Sequence, residues 1–458
     1  MSTLGDNSEK CTSIVLSARG RRTLKPHGDA VQDTIDEFGS VFAAAKRDMY
    51  DPETNPDGFI FANTAENKLS YVPLLDGMIK RACQWVPQHA AGYGDNIRFR
   101  SALASFFMKN IFTDKARVMP ENIVVAAGVA SVIDSVFWCV IDDGDGVLVP
   151  TPCYSSHHRN MSCRSGAHFI PVPCSPKDNF KLTPTMLATA ADEAVRADGD
   201  AGVSGGCRKV KALLLTNPHN PCGSILDTKQ LEAIIEWCTA RGIHVVSDEV
   251  YSTSIFDREA EFTSVAQVAR AMTARGHSRS IEQLVHVVYG LSKDWAMSGN
   301  RVGILYTTNS SLVHSMNELS IFNGVPGFFQ HALSAVFEDE AFSEAYIVEN
   351  KKLLEKSYMI ISACLTKLGI EYVHASAGLF VWVCLEPLIT SPSARFTSDY
   401  ELYRTMMNDP RYRLLFTPGK ICRAASPGWY RICWASLSVA ALHECCRRIA
   451  LLWTGEST

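Results

Sequence analysis

Several features that would narrow a function early are missing. None of the 15 cysteines falls in a C-x-x-C pair, so neither a zinc-ribbon nor a thioredoxin-type spacing is on offer. The vicinal Cys445-Cys446 lies in a helix-like stretch, and His157-His158 reads as a loop or helix start; no metal site is expected. No apolar run reaches the roughly 18 residues that a bilayer crossing needs. Residues 1–10 are polar, without the apolar core of a secretory signal. These absences predict a cytoplasmic protein with reduced thiols and no membrane partner. A net charge of −4 supplies no basic field for nucleic acid. No internal repeat is visible, which excludes solenoids and propellers.

What is present is ordinary in bulk. At 458 residues the chain exceeds what one core organises, and its 47% hydrophobic and 20% charged shares match globular proteins. Residues 1–35 have weak periodicity and are expected to form a flexible arm. Helical apolar spacing appears over 73–86 and 97–109. From there strands alternate with helices: strands over 123–127, 147–149, 168–172, 211–216, 243–247, 284–289 and 301–306, helices over 130–141, 183–195 and 228–240. An exposed loop is expected over 197–206, where Gly, Asp and Ser concentrate. This rhythm predicts an α/β fold with a mostly parallel sheet covered on both faces. A long helical stretch, 327–368, then leads to short strands at 371–373, 379–383 and 431–434. The resulting division is a large domain over 71–327 and a smaller α+β domain over 36–70 and 328–458.

The most informative stretch is Tyr289-Gly-Leu-Ser-Lys293-Asp-Trp-Ala-Met-Ser-Gly-Asn-Arg301. Lys293 follows a strand that reads as fully buried, an odd place for a structural cation, because desolvating an ammonium costs several kcal/mol. A lysine there makes sense as a Schiff-base former with a carbonyl cofactor, where a depressed pKa is useful. Pyridoxal phosphate is such a cofactor, and it also needs an acid for its pyridine nitrogen. Asp248, ending the strand of Val245-Val-Ser-Asp-Glu-Val-Tyr251, qualifies; the bland alternative is a helix N-cap. Glu249 should point to the other face. Tyr251 is in reach of the cofactor's ring oxygen, as is Asn220 in the rigid turn Thr216-Asn-Pro-His-Asn-Pro-Cys-Gly223. Gly128-Val-Ala-Ser131 marks a strand-to-helix junction whose amides suit an anion, with Ser292 and Arg301 adding a hydroxyl and a guanidinium. Tyr154, after another strand, suits stacking on the ring. Arg431, amid aromatics in Pro427-Gly-Trp-Tyr-Arg431, suits bidentate capture of a carboxylate, or else is an edge-strand arginine.

The ordered series Asn220, Asp248, Tyr251, Lys293, Arg301 and Arg431 resembles the fold type I pyridoxal-phosphate enzymes, the aspartate aminotransferase superfamily. Thr64-Ala-Glu66-Asn67-Lys-Leu69, Tyr93 through Arg100, Val149-Pro-Thr-Pro-Cys-Tyr154 with Arg159, and Ser292-Lys293-Asp294 point within it to the aminocyclopropane-carboxylate (ACC) synthases and their ACC synthase-like relatives. The resemblance implies a large domain with a seven-stranded-type sheet, a smaller domain, and a homodimer in which Tyr93 reaches the partner's site. It further implies that Lys293 carries the cofactor and deprotonates Cα. Asp248 would hold the pyridine nitrogen, and Asn220 with Tyr251 the ring oxygen. Val129 and Ala130 amides, Ser292, Arg301 and Tyr93 would hold the phosphate, and Tyr154 would stack on the ring. Arg431 would take the substrate carboxylate, with Glu66 on the leaving-group side and Arg159 nearby. Departures are Gly290 for a phosphate-binding serine, Tyr93-Gly94-Asp95 for Tyr-His-Gly with Ala91 and Gly92 before it, and Ser-Ser-His-His after Tyr154.

The expected activity is therefore Cα deprotonation of an α-amino acid, such as S-adenosylmethionine, followed by ring closure, γ-elimination or γ-replacement. Transamination is the alternative. A catalytically silent pyridoxal-phosphate-binding protein is the reading from another class.

Overall fold

The structure, a computed structural model, describes residues 17, 22–23, 26–70, 74, 76–77, 80, 97–114, 116–178, 180–199, 207 and 209–455. Its strands are β1 (Ile60–Phe61), β2 (Ile123–Ala126), β3 (Gly146–Thr151), β4 (His168–Pro173), β5 (Val210–Thr216), β6 (His244–Asp248), β7 (Val285–Gly290), β8 (Gly303–Tyr306), β9 (Tyr372–Val373), β10 (Val381–Cys384), β11 (Leu414–Leu415), β12 (Thr417–Pro418) and β13 (Trp429–Ile432).

Seven of these form one sheet in the order β2-β8-β7-β6-β5-β3-β4. Every pairing is parallel except those of β8, which runs antiparallel to both β2 and β7. β3 and β7 are buried along their full length, as strands covered on both faces must be. Chain reversals between parallel strands need long crossovers, and the helices Pro184–Gly199, Thr228–Thr239 and Val265–Ala274 supply them. A four-stranded antiparallel sheet, β12-β13-β10-β9, and the parallel pair β1–β11 lie apart with their own apolar core, which includes Phe380, Tyr430 and Leu415.

The structure corrects several expectations. The arm over 1–35 is helical from its last turns: Asp29–Ala45 is one helix. Its apolar positions Val31, Ile35, Phe38, Phe42 and Ala45 keep helical spacing, but Asp, Gln and Thr between them mask the pattern. Phe38 stacks near Tyr403 at a ring separation of 6.2 Å. The 301–306 strand starts late, because Arg301 sits at φ 53°, ψ 59°, a left-handed conformation that cannot join a ladder. The last strand is shifted to Trp429–Ile432, and Trp434 opens a short 3₁₀ turn. Helix 97–109 ends as an α-helix at Phe106 and continues as a π-helical turn, Phe107–Ile111. Helix Pro184–Gly199 runs into the loop expected from 197; residues 200–206, like most of 73–86, lie outside the described residues.

The stretch 327–368 is two helices, Gly327–Glu338 and Glu340–Lys367, divided at Asp339, whose carboxylate caps the second by accepting from Phe342 N at 3.0 Å. The second helix serves both cores. Tyr346 and Ile347 pack with the large sheet's cluster, while Leu354, Tyr358, Ile361 and Leu365 pack with that of the smaller sheet.

Candidate active site

The carboxyl ends of β2, β5, β6 and β7 open on one cleft, as parallel sheets place their loops at one edge. Nine of the expected residues line it: Val129, Ala130, Tyr154, Asn220, Asp248, Tyr251, Ser292, Lys293 and Arg301. Local structure explains how each arrives there.

After β2, Gly128 takes φ 91° and starts the helix Val129–Val140 with no side-chain cap. The first amides of a helix have no partner inside it, so those of Val129 and Ala130 form an anion site. A Cβ on Gly128 would stand 2.3 Å from Arg301 Nη2. Glycine therefore lets the guanidinium lie directly over the helix start. Arg301 is exposed along the cleft and donates from Nη1 to the Ser298 carbonyl at 3.1 Å. Ser292 is buried, and its carbonyl accepts from Ser298 Oγ at 2.7 Å. Gly290 departs from the resemblance for a visible reason: a Cβ there would come within 2.5 Å of Val129 Cγ2. Valine at 129 occupies the space that a serine would need.

β7 ends at Gly290, and the short helical turn Leu291–Asp294 presents Lys293. Trp295 anchors this turn, fully buried and stacked on Tyr346 at 4.8 Å with planes 12° apart. Such a pair contributes about 0.5–1.5 kcal/mol beyond area burial. Lys293 Nζ donates to the Ala65 carbonyl at 2.6 Å. Burial lowers its pKa, against opposing contributions from Tyr154 and Glu66. On neighbouring β6, Asp248 is 5% exposed and accepts from Val250 N at 3.3 Å. Desolvation pushes its carboxyl up to about 7. Glu249 points away, accepting from Val265 N at 2.9 Å.

Asn220 and Arg431 meet. Arg431 Nη1 donates to Asn220 Oδ1 at 2.9 Å, and Nη2 donates to the Asn63 carbonyl at 2.7 Å and to Thr417 Oγ1 at 3.2 Å. Guanidinium nitrogens only donate, so the Asn220 oxygen must face Arg431 and its NH₂ is left to donate into the cleft. Arg431 is buried with Nε unpartnered, so it is not an exposed edge arginine. Tyr251 is buried, and desolvation pushes its phenol well above the ordinary tyrosine value, keeping it a donor. Tyr154 meets His157 edge-on at 5.3 Å.

Two expected residues stand apart. Arg159 is exposed on the helix His157–Ser162 and does not line the cleft, because that helix turns its side chain outward. Glu66 is 43% exposed, 4.0 Å from Lys68 Nζ, next in sequence to the carbonyl that holds Lys293. Tyr93, with Ala91, Gly92 and Gly94, lies outside the described residues. Three polar residues that the motifs did not mark also line the cleft: Asn160, Thr216 and Ser298. Thr216 ends β5, and the position itself was the available signal, since strand ends at this edge carry the site.

The set fits pyridoxal phosphate. A buried carboxylate with no ion pair among the described residues matches the protonated ring nitrogen, where ~4 Å and an effective dielectric near 20 give about 4 kcal/mol. An amine with a lowered pKa suits bonding to the aldehyde, and the free amides under Arg301 suit the phosphate. Among the described residues no group of three or more His, Cys, Asp or Glu is placed to hold a metal ion, and no helix is long and apolar enough to cross a membrane.

Residues 80–449 match the profile of the family described as aminotransferase class I and II. 1-Aminocyclopropane-1-carboxylate synthase 7 of Arabidopsis thaliana is 34% identical over 436 residues, covering 92% of this chain and 93% of that protein. Synthase 4 of Oryza sativa subsp. japonica is 32% identical over 432 residues, covering 89% of this chain and 84% of that protein. The solved structure of a Thermus thermophilus aspartate aminotransferase double mutant gives a TM-score of 0.71 at 20% identity, over 95% of this chain and 99% of that one. At that identity the likeness speaks to the fold, which is the aspartate aminotransferase-like α/β fold.

Proposed function

The chain belongs to the aminotransferase class I and II family of pyridoxal-phosphate enzymes, alongside the ACC synthases, and from that premise we propose that it acts at the γ-carbon of an amino acid. The substrate class is S-adenosylmethionine or a related γ-activated α-amino acid. One observation carries this reading: Glu66 sits next to the carbonyl that holds Lys293, and its field reaches that amine. A carboxylate on that side balances a cationic leaving group at Cγ.

Arg431 receives the substrate's α-carboxylate through its guanidinium, already oriented by Asn220, Asn63 and Thr417. Lys293, whose pKa burial lowers, takes the Cα proton. Asp248 would hold the cofactor's ring nitrogen in its protonated form, and the Asn220 amide and Tyr251 hydroxyl would donate to its ring oxygen. The cofactor supplies the electron sink. The Cα electron pair then closes on Cγ with loss of the leaving group, or the γ group leaves and an outside nucleophile replaces it. Transamination is the second reading, favoured by the family profile and by structural neighbours that are aminotransferases.

The same reading makes the protein a cytoplasmic homodimer with Tyr93 completing the partner's phosphate site. Ile321 and Phe322, 81% and 83% exposed, support a partner there. They precede Asn323, whose carbonyl accepts from Ala127 N at 2.7 Å beside the anion site.

The test is incubation of the pyridoxal-phosphate-loaded enzyme with S-adenosylmethionine alone and mass detection of all products. Methylthioadenosine with ACC is the outcome of ring closure; methylthioadenosine with vinylglycine or its breakdown products is that of γ-replacement awaiting its nucleophile. Absence of methylthioadenosine, with keto-acid-dependent turnover of common amino acids, would establish transamination instead.

A further inference from the structure

Asp294 follows the cofactor-bearing lysine directly, yet its carboxylate turns away from the cleft and is 1% exposed. It gathers an unusual number of donors. Oδ2 accepts from Thr253 N at 2.9 Å and from Tyr289 Oη at 3.2 Å, while Oδ1 accepts from Ser254 Oγ at 2.5 Å. The Thr253 side chain contributes a further hydrogen bond. On its main chain, the Asp294 carbonyl accepts from Tyr346 Oη at 3.2 Å, and that hydroxyl also meets Ser70 Oγ at 2.9 Å. Ser70 belongs to the segment in which the Ala65 carbonyl holds Lys293.

Thr253 and Ser254 close the turn that begins at Asp248 and carries Tyr251. The carboxylate therefore joins the segment that presents the amine to the one that presents the ring-nitrogen acid and the ring-oxygen donor. We propose that Asp294 is a positioning residue for Lys293, clamping its turn to the Asp248–Tyr251 turn and thereby setting where the amine meets the cofactor's aldehyde carbon. The action is geometric. Among the described residues the Asp294 carboxylate bonds Thr253, Ser254 and Tyr289, whereas Lys293 Nζ bonds the Ala65 carbonyl, so no direct hydrogen bond joins the two side chains. Burial pushes the Asp294 carboxyl up and its four donors pull it back, to about 6, so the clamp is assembled around an ionised carboxylate near neutral pH.

Side-chain deletion in the core away from the cleft would lower stability without touching the cofactor's optical signature. Loss of this clamp moves the amine relative to the ring, and that is visible without knowledge of the natural substrate. The inference rests on Lys293 bearing the cofactor, which Lys293→Ala checks independently by loss of the near-visible absorbance.

The experiment uses the pyridoxal-phosphate-loaded enzyme, with two readouts: the pH midpoint of the bound cofactor's absorbance, and the rate at which aminooxyacetate displaces Lys293. Asp294→Asn is expected to shift the midpoint by about half a pH unit or more and to change the displacement rate about tenfold or more, since rates at a reacting centre change by about 100-fold for a misplacement near 1 Å. Ser254→Ala, which removes one donor, should shift both readouts in the same direction by less. If Lys293→Ala loses the band while Asp294→Asn matches the wild type in both readouts, the inference is overturned. Should Asp294→Asn fail to fold, Ser254→Ala decides: a shift supports the clamp, and wild-type behaviour overturns it.

Discussion

β6 and β7 lie side by side, and each end of the pair buries ionisable groups, with opposite outcomes. At the amino end, His244 Nδ1 and His286 Nε2 are 2.9 Å apart, and His286 Nδ1 is 2.8 Å from Thr307 Oγ1. Desolvation lowers His286 to about 3 and His244 to about 4, so both rest neutral in a chain of bonds that closes within the protein. At the carboxyl end of the same strands, Asp248 has one backbone donor and Lys293 one carbonyl acceptor among the described residues. Their pKa values are pushed toward the neutral forms, up for the acid and down for the amine. Polar groups completed by their neighbours hold the sheet together. Polar groups left incomplete suit a partner from outside, which on the proposed reading is a flat ring with a cationic nitrogen and an aldehyde.

The contrast breaks most sharply at the lysine. Lys293→Ala should abolish the near-visible absorbance of the bound cofactor and lower turnover by about 10³–10⁴-fold, read by spectrophotometry and by product formation. Asp248→Asn should come next, with turnover down by about 10²–10³-fold as the ring nitrogen loses several kcal/mol of support. Its effect on the cofactor-free protein has the opposite sign. The folded Asp248 binds its proton up to about pH 7, while the unfolded chain releases it near 3.8, so stability is lost as pH rises through about 7. The asparagine variant, free of cofactor, should therefore melt higher than the wild type above neutrality, a difference that cofactor addition reverses. The smallest effect belongs to the other end. The histidines titrate near 6.5 when unfolded, so their stability contribution is present above that value and lost as pH falls toward about 4. His286→Asn should make the acid limb of thermal stability shallower by about one proton and leave cofactor absorbance untouched.

Strand ends were readable in the sequence because β-branched runs stop abruptly at Asp248 and at the Tyr289-Gly290 step, and the chemistry sits at those stops. Lys293, Asp248 and Asn220 were legible for that reason. Thr216 shares the property but was passed over in favour of Asn220 in the same turn, while Asn160 and Ser298 enter the cleft from a short helix and a 3₁₀ turn whose direction no local pattern encodes. Arg159 shows the reverse failure: a motif match survives although the helix His157–Ser162 carries the side chain to the surface. The Val129–Gly290 complementarity links residues far apart in the chain and becomes visible once the loop and strand are stacked. The helix Asp29–Ala45 was hidden because its apolar positions are diluted by Asp, Gln and Thr and gain their meaning from the smaller core they touch.

The helix Glu340–Lys367 has a consequence for how the molecule melts. Its first half supplies wall residues to one apolar core and its second half to the other, with Asn350 Oδ1 accepting from Asn67 Nδ2 at 2.7 Å between them. Helix formation is cooperative along the chain, so loss of either core frays the rod on which its neighbour is built. Heat therefore meets a single structural unit, and a lesion far from the cleft, at Leu365 for instance, is transmitted as lost occupancy of the folded state rather than as altered chemistry.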